Sequence, residues 1–415
     1  MLCRREHLFN VLKNRNFFAL WIGQIVSQFG DRLAQMGLVG IYLTHTRGVS
    51  VANSVPLMRN LFFFSTLPVL IFTPVAGVYI DRWSRRNTLI VTDFLRAGLV
   101  LLIPLFGIYS GNIKYVYVVI FLIFSATCFF TPAKSAFIPN LVKKEELLAA
   151  NSLSNITRMI AMIGGVAAGG FIVARLGTTL SFILDSISFV ISGWAIGFVQ
   201  IKGNPIARND STDLFKKVGE DFIQGISFIR KNREILLLAI NLFILMAASG
   251  LAYVLVTVLI TKGLGLGTEG LGTAAVSLGA GMILGSLVYG QFGASLKKNS
   301  VIVGGMLAAG ICALTLGGSK SISYLLVGVF LIGFIAAIIM IAANTLCQEI
   351  TPDNFRGRVF ASLEIIINSS FLLFVWMAGV LGTHYPLSLI FYGIGVALLI
   401  YAGGITLIRG VKRVA

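Results

Sequence analysis

Four polar side chains recur at helical spacing inside the first long apolar stretch of the chain. Gln24, Gln28, Asp31 and Gln35 are separated by four, three and four residues, so they lie on one face of a helix. An ionisable residue within a membrane span costs about 2.5–3.5 kcal/mol on insertion scales, which makes it a functional candidate. We expect this face to line a cavity, where Asp31 carries a proton or contacts a substrate.

A second candidate is Arg158, which follows Asn155 by about one helical turn in another apolar stretch. Its guanidinium group could hold an anionic substrate or pair with Asp31. Arg59 and the adjacent Arg32 are further possible partners of Asp31. If one of them forms that ion pair, the carboxylate of Asp31 is structural.

Two later stretches carry further candidates. Glu364 and Asn368 are four residues apart and share a helix face, although Glu364 could instead bind the arginine-rich loop described below. Ser249, Tyr253 and Thr257 also repeat every four residues. We expect Tyr253 and its neighbours to line a cavity, but hydrogen bonds within or between helices would explain the same pattern.

Three other intramembrane charges are interpreted as structural. Asp93 and Arg96 are three residues apart, which favours a local ion pair that supports the neighbouring loop. Asp185 is interpreted in the same way. Gly165 and Gly169 form a Gly-x-x-x-Gly pattern, which is typical of closely packed helices.

The composition is that of a membrane protein. Of the 415 residues, 57% are hydrophobic and 12% are charged, and the mean hydropathy is +0.90. A soluble domain usually carries about 25% charged residues. The net charge of +17 fits basic membrane loops better than nucleic-acid binding.

The residue inventory gives no support for an enzyme or for a bound cofactor. The four cysteines are far apart and form neither a metal-ligand spacing nor a disulfide framework. No phosphate-binding Gly-x-x-x-x-Gly-Lys-Ser/Thr sequence occurs, and no nucleophile and base converge. We therefore expect neither catalysis nor a metal.

Apolar stretches long enough to cross a bilayer occur twelve times. They cover residues 17–44, 54–80, 88–109, 115–134, 149–174, 178–200, 235–261, 271–293, 300–318, 323–346, 358–382 and 385–408. The predicted fold is therefore an all-α membrane protein with two six-helix halves, residues 1–200 and 234–415. Residues 201–233 form the linker between them.

The distribution of basic residues predicts the orientation. With the N-terminus in the cytoplasm, 24 lysines and arginines fall on the cytoplasmic side and five on the opposite side. Both termini are therefore expected in the cytoplasm, in a multi-pass protein of the inner (plasma) membrane. In the linker, apolar residues recur at helical spacing from 215 to 229, which predicts an amphipathic helix on the membrane surface.

An internal repeat relates the two halves. Residues 85–91 and 297–303 are identical or similar at every position, at an offset of about half the chain, and a weaker echo pairs 139–153 with 350–363. Two parallel halves imply a pseudo-two-fold axis along the membrane normal, with a substrate site between them.

The loop after the second span carries a recognisable signature, Gly77-x-x-x-Asp81-Arg82-x-x-Arg85-Arg86. It resembles the loop motif between spans two and three of the major facilitator superfamily. The resemblance implies a latch, in which Asp81 and the arginines hold the two halves together on the cytoplasmic side. The second half keeps Lys297 and Lys298 but has Gly293 at the position of Asp81, so a one-sided latch is expected.

Three further stretches, at 21–32, 130–134 and 353–360, resemble a bacterial branch of the superfamily that contains macrolide-efflux and enterobactin-exporter-like proteins. The resemblance implies a secondary transporter that exports small amphipathic molecules, such as drugs or siderophores. It would be a monomer driven by the proton gradient. A lysophospholipid flippase and a non-transporting receptor or assembly partner remain the alternatives.

Overall fold

The computed structural model describes residues 11–80, 83–143, 146–200, 214–318 and 321–414, and these residues form thirteen α-helices and no strand. The six helices before the central loop are Arg15–His45 (α1), Val51–Ile80 (α2), Arg85–Pro104 (α3), Ile113–Phe137 (α4), Leu147–Leu176 (α5) and Thr178–Gly197 (α6). The remaining seven are Leu214–Lys231 (α7), Arg233–Val258 (α8), Gly267–Phe292 (α9), Lys298–Gly317 (α10), Ile322–Ile350 (α11), Asp353–His384 (α12) and Leu387–Val414 (α13).

Each of the twelve predicted spans corresponds to one helix, with α7 as the additional linker helix. Eleven helices in the described part of the chain are long and apolar enough to cross a membrane. Among the twelve helices at predicted spans the exception is α1, which is 31 residues long but carries the polar stripe with Asp31 and Arg32. Its length is sufficient to span a bilayer, and the polar stripe accounts for its lower hydropathy.

The chain divides into two compact units. Unit 1 comprises the described residues of Met1–His45 and Phe64–Phe215, and unit 2 comprises those of Thr46–Phe63 and Lys216–Ala415. The first part of α2 therefore belongs to unit 2, and the rest of this helix belongs to unit 1. The linker boundaries at 201 and 233 stay a prediction.

Three helix pairs pack together in the same way in both units. In unit 1, α1 packs on α5, and α3 packs on α4 and α6. In unit 2, α8 packs on α12, and α10 packs on α11 and α13. Because α8 to α13 follow the order of α1 to α6, the internal repeat seen in the sequence has a structural counterpart. Its two copies, 85–91 and 297–303, open α3 and α10.

A row of glycines on α1 brings α6 against the α1 backbone. The facing residues on α6 are small or polar, and their atoms fill the space that a side chain on each glycine would need. The facing pairs are Gly23 with Ser192, Gly30 with Ser188 and Asp185, Gly37 with Ser181, and Gly40 with Thr178. Small residues at helix interfaces allow such close packing inside membranes.

The linker helix α7 packs on the start of α12. Gly225 lies against the backbone of Arg358 and the side chain of Ser362, and the rings of Phe228 and Phe355 stack at 4.7 Å. Ile223 on the other face of α7 is 66% exposed. The predicted helix is therefore present over the described part of the linker, and it presents an apolar side chain outward.

Candidate functional site

The glutamines of the α1 stripe carry unused hydrogen-bonding capacity. Gln24 is buried, and its Oε1 accepts a hydrogen bond from Gln28 Nε2 at 3.4 Å. Among the described residues, Gln24 Nε2 and Gln28 Oε1 have no hydrogen-bond partner. A buried polar group without a partner costs about 1–3 kcal/mol. The pair therefore offers one donor and one acceptor to a ligand.

The two C-terminal residues of the stripe, Asp31 and Gln35, differ in their partners. Gln35 accepts a hydrogen bond from Arg32 Nη1 at 2.9 Å. Arg32 therefore binds a stripe residue rather than the adjacent Asp31. The carboxylate of Asp31 is half-buried, and no ion pair among the described residues involves it.

Arg96 on α3 and Lys134 on α4 lie near enough to Asp31 for their charges to act on its carboxyl group, as does the adjacent Arg32. Charge interactions in a low-dielectric interior act over longer distances than in water.

Asp93 and Arg96 form the ion pair that their spacing predicts, and both side chains are almost fully buried (0% and 2% exposed). The guanidinium group lies between two rings, with its Cζ 4.3 Å from the centroid of Phe130 and 4.2 Å from that of Phe189. Arg96 Nε also donates to Thr92 O at 3.3 Å. The pair is thus held in the interior of unit 1 rather than only supporting a loop.

Asp185 joins this group from α6. It is 1% exposed, and Ser188 Oγ donates to its Oδ1 at 3.2 Å. Its Oδ1 lies against Gly30, the residue before Asp31 on α1, and Asp93 on α3 lies against Gly193 of the same helix α6. Four charged residues from α1, α3 and α6 therefore lie in one region of unit 1, which we call the buried charge cluster: Asp31, Asp93, Arg96 and Asp185.

The interpretation of Asp93 and Arg96 as a local ion pair is confirmed, and the structural interpretation of Asp185 stays a prediction. The i, i+3 spacing of Asp93 and Arg96 correctly predicts their ion pair. It does not tell which neighbouring helix they face. The seven-residue spacing of Gly23, Gly30 and Gly37 on α1 was the available signal, since it predicts a close helix neighbour at the depth of Asp31.

Arg158 on α5 has an exposed side chain. The side chain of Asn155 lies outside the described residues. The contact between α1 and α5 at this level is a hydrogen bond from Trp21 Nε1 to Thr157 Oγ1 at 2.9 Å. It connects the residue next to Arg158 to the helix that carries the glutamines.

Unit 2 contains the remaining cavity candidates. Tyr253 on α8 is 38% exposed, and its ring contacts Phe62 and Phe371, with centroid distances of 4.2 and 5.9 Å. Ser249 and Thr257 donate to backbone carbonyls of their own helix, at 2.8 and 2.7 Å. Hydrogen bonds within the helix therefore explain the hydroxyl groups of Ser249 and Thr257. Tyr253 remains the candidate for lining a cavity.

On α12, Asn368 Nδ2 donates to the backbone oxygen of Glu364 at 2.9 Å. The Glu364 side chain is exposed, and no ion pair among the described residues includes it. Arg59, the possible partner of Asp31, belongs to unit 2. Its Nε donates to Asn60 Oδ1 at 3.0 Å, and its aliphatic part covers Gly379.

The latch signature is described in part. Gly77 lies in α2, whereas Asp81 and Arg82 lie outside the described residues. Arg85 Nη1 donates to Ala136 O at 2.9 Å and to Asn140 Oδ1 at 3.2 Å, at the end of α4. Arg86 Nη2 donates to Gly197 O, at the end of α6. Cations at helix C-termini compensate the negative end of the helix dipole.

The second copy of this loop makes a related contact. Lys298 Nζ lies 3.0 Å from Glu349 Oε1, near the end of α11. Lys298 corresponds to Arg86 in the repeat, so both units tie the start of their third helix to the end of another helix. In unit 1 the acceptors of Arg85 and Arg86 are neutral, and in unit 2 the acceptor of Lys298 is a carboxylate.

Comparison with known proteins gives consistent results. The family model of the transmembrane secretion effectors (MFS_3) matches residues 7–412. YkuC of Bacillus subtilis, an uncharacterized MFS-type transporter, is 26% identical over 399 residues, covering 94% of this chain and 91% of the relative. Macrolide efflux protein A of Streptococcus pyogenes is 26% identical over 358 residues, covering 83% and 84%.

A solved structure gives the same fold. The nucleoside transporter NupG superposes with a TM-score of 0.71 at 13% identity, covering 94% of this chain and 99% of that chain. At this identity the likeness concerns the fold alone. The family match over nearly the whole chain confirms the resemblance stated from the loop signature. The chain therefore belongs to the transmembrane secretion effectors of the major facilitator superfamily and is a multi-pass membrane transporter.

Proposed function

We propose that this transporter exports small amphipathic molecules across the inner (plasma) membrane in exchange for protons. The observation that carries the proposal is the α1 stripe, where two amide groups with unused capacity lie close to a half-buried carboxylate. Neutral amide groups can bind varied neutral or cationic ligands without a fixed geometry of charges. Pockets that bind drug-sized ligands typically combine apolar walls with a few such polar groups.

The name of the relative from Streptococcus pyogenes supports export and a drug-like substrate class. That protein is a macrolide efflux protein, and it matches most of this chain. Membership in a transporter family argues against a non-transporting receptor. It also supports transport without chemical conversion of the substrate.

Asp31 is the proposed proton-binding carboxylate on the substrate side. The described residues give it no ion pair, and it is half-buried, so it can exchange protons with water that reaches the α1 stripe. A membrane potential supplies about 2.3 kcal/mol per elementary charge per 100 mV. A proton that binds Asp31 on one side of the membrane and leaves on the other would supply this energy to the transport cycle, and its binding would change the charge of the stripe.

The cytoplasmic position of both termini and the monomeric state are part of the proposal. The basic-residue asymmetry supports the orientation. Gly77, Asp81, Arg82, Arg85 and Arg86 would form the cytoplasmic latch of the transport cycle. Arg85 and Arg86 already bind helix ends of unit 1, which leaves Asp81 and Arg82 as the residues for which a changing contact is proposed.

The experiment is transport into inside-out membrane vesicles that contain the full chain. Erythromycin and ethidium are the two probes, and a pH gradient is imposed with the interior acidic. We expect accumulation of at least one probe in vesicles with the wild-type chain, abolished by a protonophore. Asp31→Asn should abolish it, and Glu234→Gln, which neutralises an exposed acid at the start of α8, should not.

Accumulation that is equal in vesicles with and without the chain for both probes would contradict drug-like export. Accumulation that persists in the presence of the protonophore would contradict proton coupling. Full activity of Asp31→Asn would remove Asp31 from the mechanism and leave the transport proposal intact. Each result therefore addresses a different part of the proposal.

A further inference from the structure

The linker helix α7 is held at the level where two membrane spans begin. After its last residue, Asn232 alone separates it from α8, whose apolar span starts at Arg233. Near its middle, Gly225 lies against the backbone of Arg358, in the first turn of the apolar span of α12. Both attachments place α7 beside the boundary between water and hydrocarbon.

The junction between α7 and α8 is fixed by Asn232. Its backbone is extended (φ −100°, ψ 109°), and its Oδ1 accepts hydrogen bonds from the amides of Glu234 and Ile235 at 3.1 and 3.3 Å. Its own amide donates to Phe228 O at 3.0 Å. One residue therefore ends α7 and caps α8, and it sets the direction in which α7 leaves the span.

The face of α7 that points away from Gly225 is exposed and carries an apolar side chain. Ile223, Ser227 and Arg230 are spaced by four and three residues, so they share one face. All three are exposed, Ile223 to 66%, and Phe222 beside it is 37% exposed. Apolar surface is favourably removed from water. At the edge of two membrane spans, the bilayer is the apolar phase within reach.

Three cations lie at the end of the same surface. Arg230, Lys231 and Arg233 are exposed, and their α carbons lie within about 11 Å of one another along the chain. Within the described part of the chain, no ion pair involves their side chains. The neighbouring carboxylate is Glu234, so the junction keeps an excess of positive charge.

The helix dipoles explain only part of this pattern. Arg230 and Lys231 lie in the last turn of α7, where cations compensate the negative end of the helix. Arg233 is the first residue of α8, where the dipole favours an anion. A negatively charged partner outside the protein accounts for all three cations together.

We propose that α7 and the start of α8 form a binding site for the headgroups of anionic phospholipids, with Ile223 inserted at the level where the acyl chains begin. Arg230, Lys231 and Arg233 bind the phosphate groups, for which guanidinium groups are well suited. Charge complementarity selects this occupant, because the cytoplasmic surface of a membrane is negative. The site depends neither on the transported substrate nor on proton coupling.

The bilayer matches both features of the surface at once. A free phosphate ion would neutralise the cations and leave Ile223 in water. Helices with an apolar face and basic residues bind in the interfacial plane of membranes, with the apolar side chains at the boundary between headgroups and acyl chains.

The experiment measures the contact of α7 with lipid, in the full chain reconstituted into vesicles. Ser227→Cys carries a fluorescent label on the exposed face, and Cys3→Ser removes one native thiol. The other cysteines, Cys128, Cys312 and Cys347, are buried. Lipids with brominated acyl chains quench a label at the bilayer, and iodide quenches a label in water. We expect more lipid quenching and less iodide quenching when phosphatidylglycerol is added to phosphatidylcholine.

The cation variant replaces Arg230, Lys231 and Arg233 by Gln in the labelled chain. Each removed cation should weaken headgroup binding about fivefold, so the quenching of this variant should no longer depend on phosphatidylglycerol. Ile223→Ser should reduce quenching by the brominated lipids, because the inserted side chain is lost.

A matched control removes the same number of exposed cations from the side of the membrane predicted to be opposite. In this variant Arg47, Lys114 and Arg175 are replaced by Gln. Its quenching should equal that of the labelled wild-type chain. A dependence on phosphatidylglycerol that is lost in both variants would show an effect of net charge and overturn the site.

Three results in the labelled wild-type chain would also overturn the inference. Equal lipid quenching with and without phosphatidylglycerol would show that the headgroup charge is not recognised. Strong iodide quenching in both kinds of vesicle would show that this face is turned to water and is available to a soluble partner. Loss of the lipid dependence when inorganic phosphate replaces chloride at equal ionic strength would identify a free-phosphate site.

A conservative variant covers the case in which the Gln variant does not fold. Arg230→Lys with Arg233→Lys keeps the charge and should keep the dependence on phosphatidylglycerol, whereas Arg230→Gln alone should weaken it about fivefold. Thermal unfolding shows that each variant is folded. Equal lipid dependence in the folded Lys and Gln variants would contradict the role of these cations.

Discussion

Asp185 Oδ1 fills the space beside the Gly30 α carbon that a β carbon at that position would need. The relationship joins a residue of α1 to a residue of α6 that is far away in the sequence. It fixes the depth at which the two helices meet, and it places a carboxyl group next to the backbone of the polar stripe. The packing of α1 on α6 and the position of the Asp185 carboxyl group therefore depend on the same contact.

The first prediction concerns this contact. Gly30→Ala should destabilise the folded protein by about 1–3 kcal/mol, because overpacking forces side chains and backbone to shift. Thermal unfolding of the purified chain measures the effect. The control is Gly98→Ala on α3, where the added β carbon meets nothing within 4 Å. Equal stability of the two variants would contradict the close α1–α6 contact.

The second prediction concerns the buried ion pair. Arg96→Met should cost about 3–5 kcal/mol, since it leaves Asp93 buried without its partner. The double variant with Asp93→Asn should recover part of the loss. Lys298→Met breaks an ion pair whose side chains are 25% and 53% exposed, and it should cost at most about 1 kcal/mol.

Denaturant or thermal unfolding of these variants gives the comparison. A loss in Arg96→Met no larger than that in Lys298→Met would show that the cluster is more hydrated than its burial indicates.

The third prediction separates substrate binding from stability. Gln24→Leu removes a buried amide whose Nε2 has no partner among the described residues and whose Oε1 accepts one long hydrogen bond from Gln28, at 3.4 Å, so folding stability should change little. The apparent KM for the transported probe should increase, because a donor to the substrate is lost. Gln224→Leu on the exposed face of α7 serves as the matched control. An unchanged KM in Gln24→Leu would remove this residue from the binding site.

The fourth prediction concerns the linker helix. Gly225→Ala should weaken the packing of α7 on α12, since the added β carbon would meet the Arg358 backbone and Ser362. Gly219→Ala on the same helix meets nothing within 4 Å and should be neutral or stabilising. Limited proteolysis of the linker should therefore be faster in Gly225→Ala only. Similar cleavage rates would indicate that α7 is not held by this contact.

The sequence by itself determined the elements of this protein. Hydropathy and helical periodicity are local properties, so they predict the twelve spans, the linker helix and the common face of Gln24, Gln28, Asp31 and Gln35. The repeat at 85–91 and 297–303 predicts the matching helix pairs of the two units. The loop signature at 77–86 identifies the superfamily.

The tertiary structure decided which charges act together. Periodicity shows which residues share a face of one helix, but it does not show which helix that face meets. Asp31, Arg96 and Asp185 are more than 60 residues apart in sequence, and only the packing of α1, α3 and α6 makes them one cluster. Once removed from water, each charge affects the others strongly, so their combined chemistry depends on the fold.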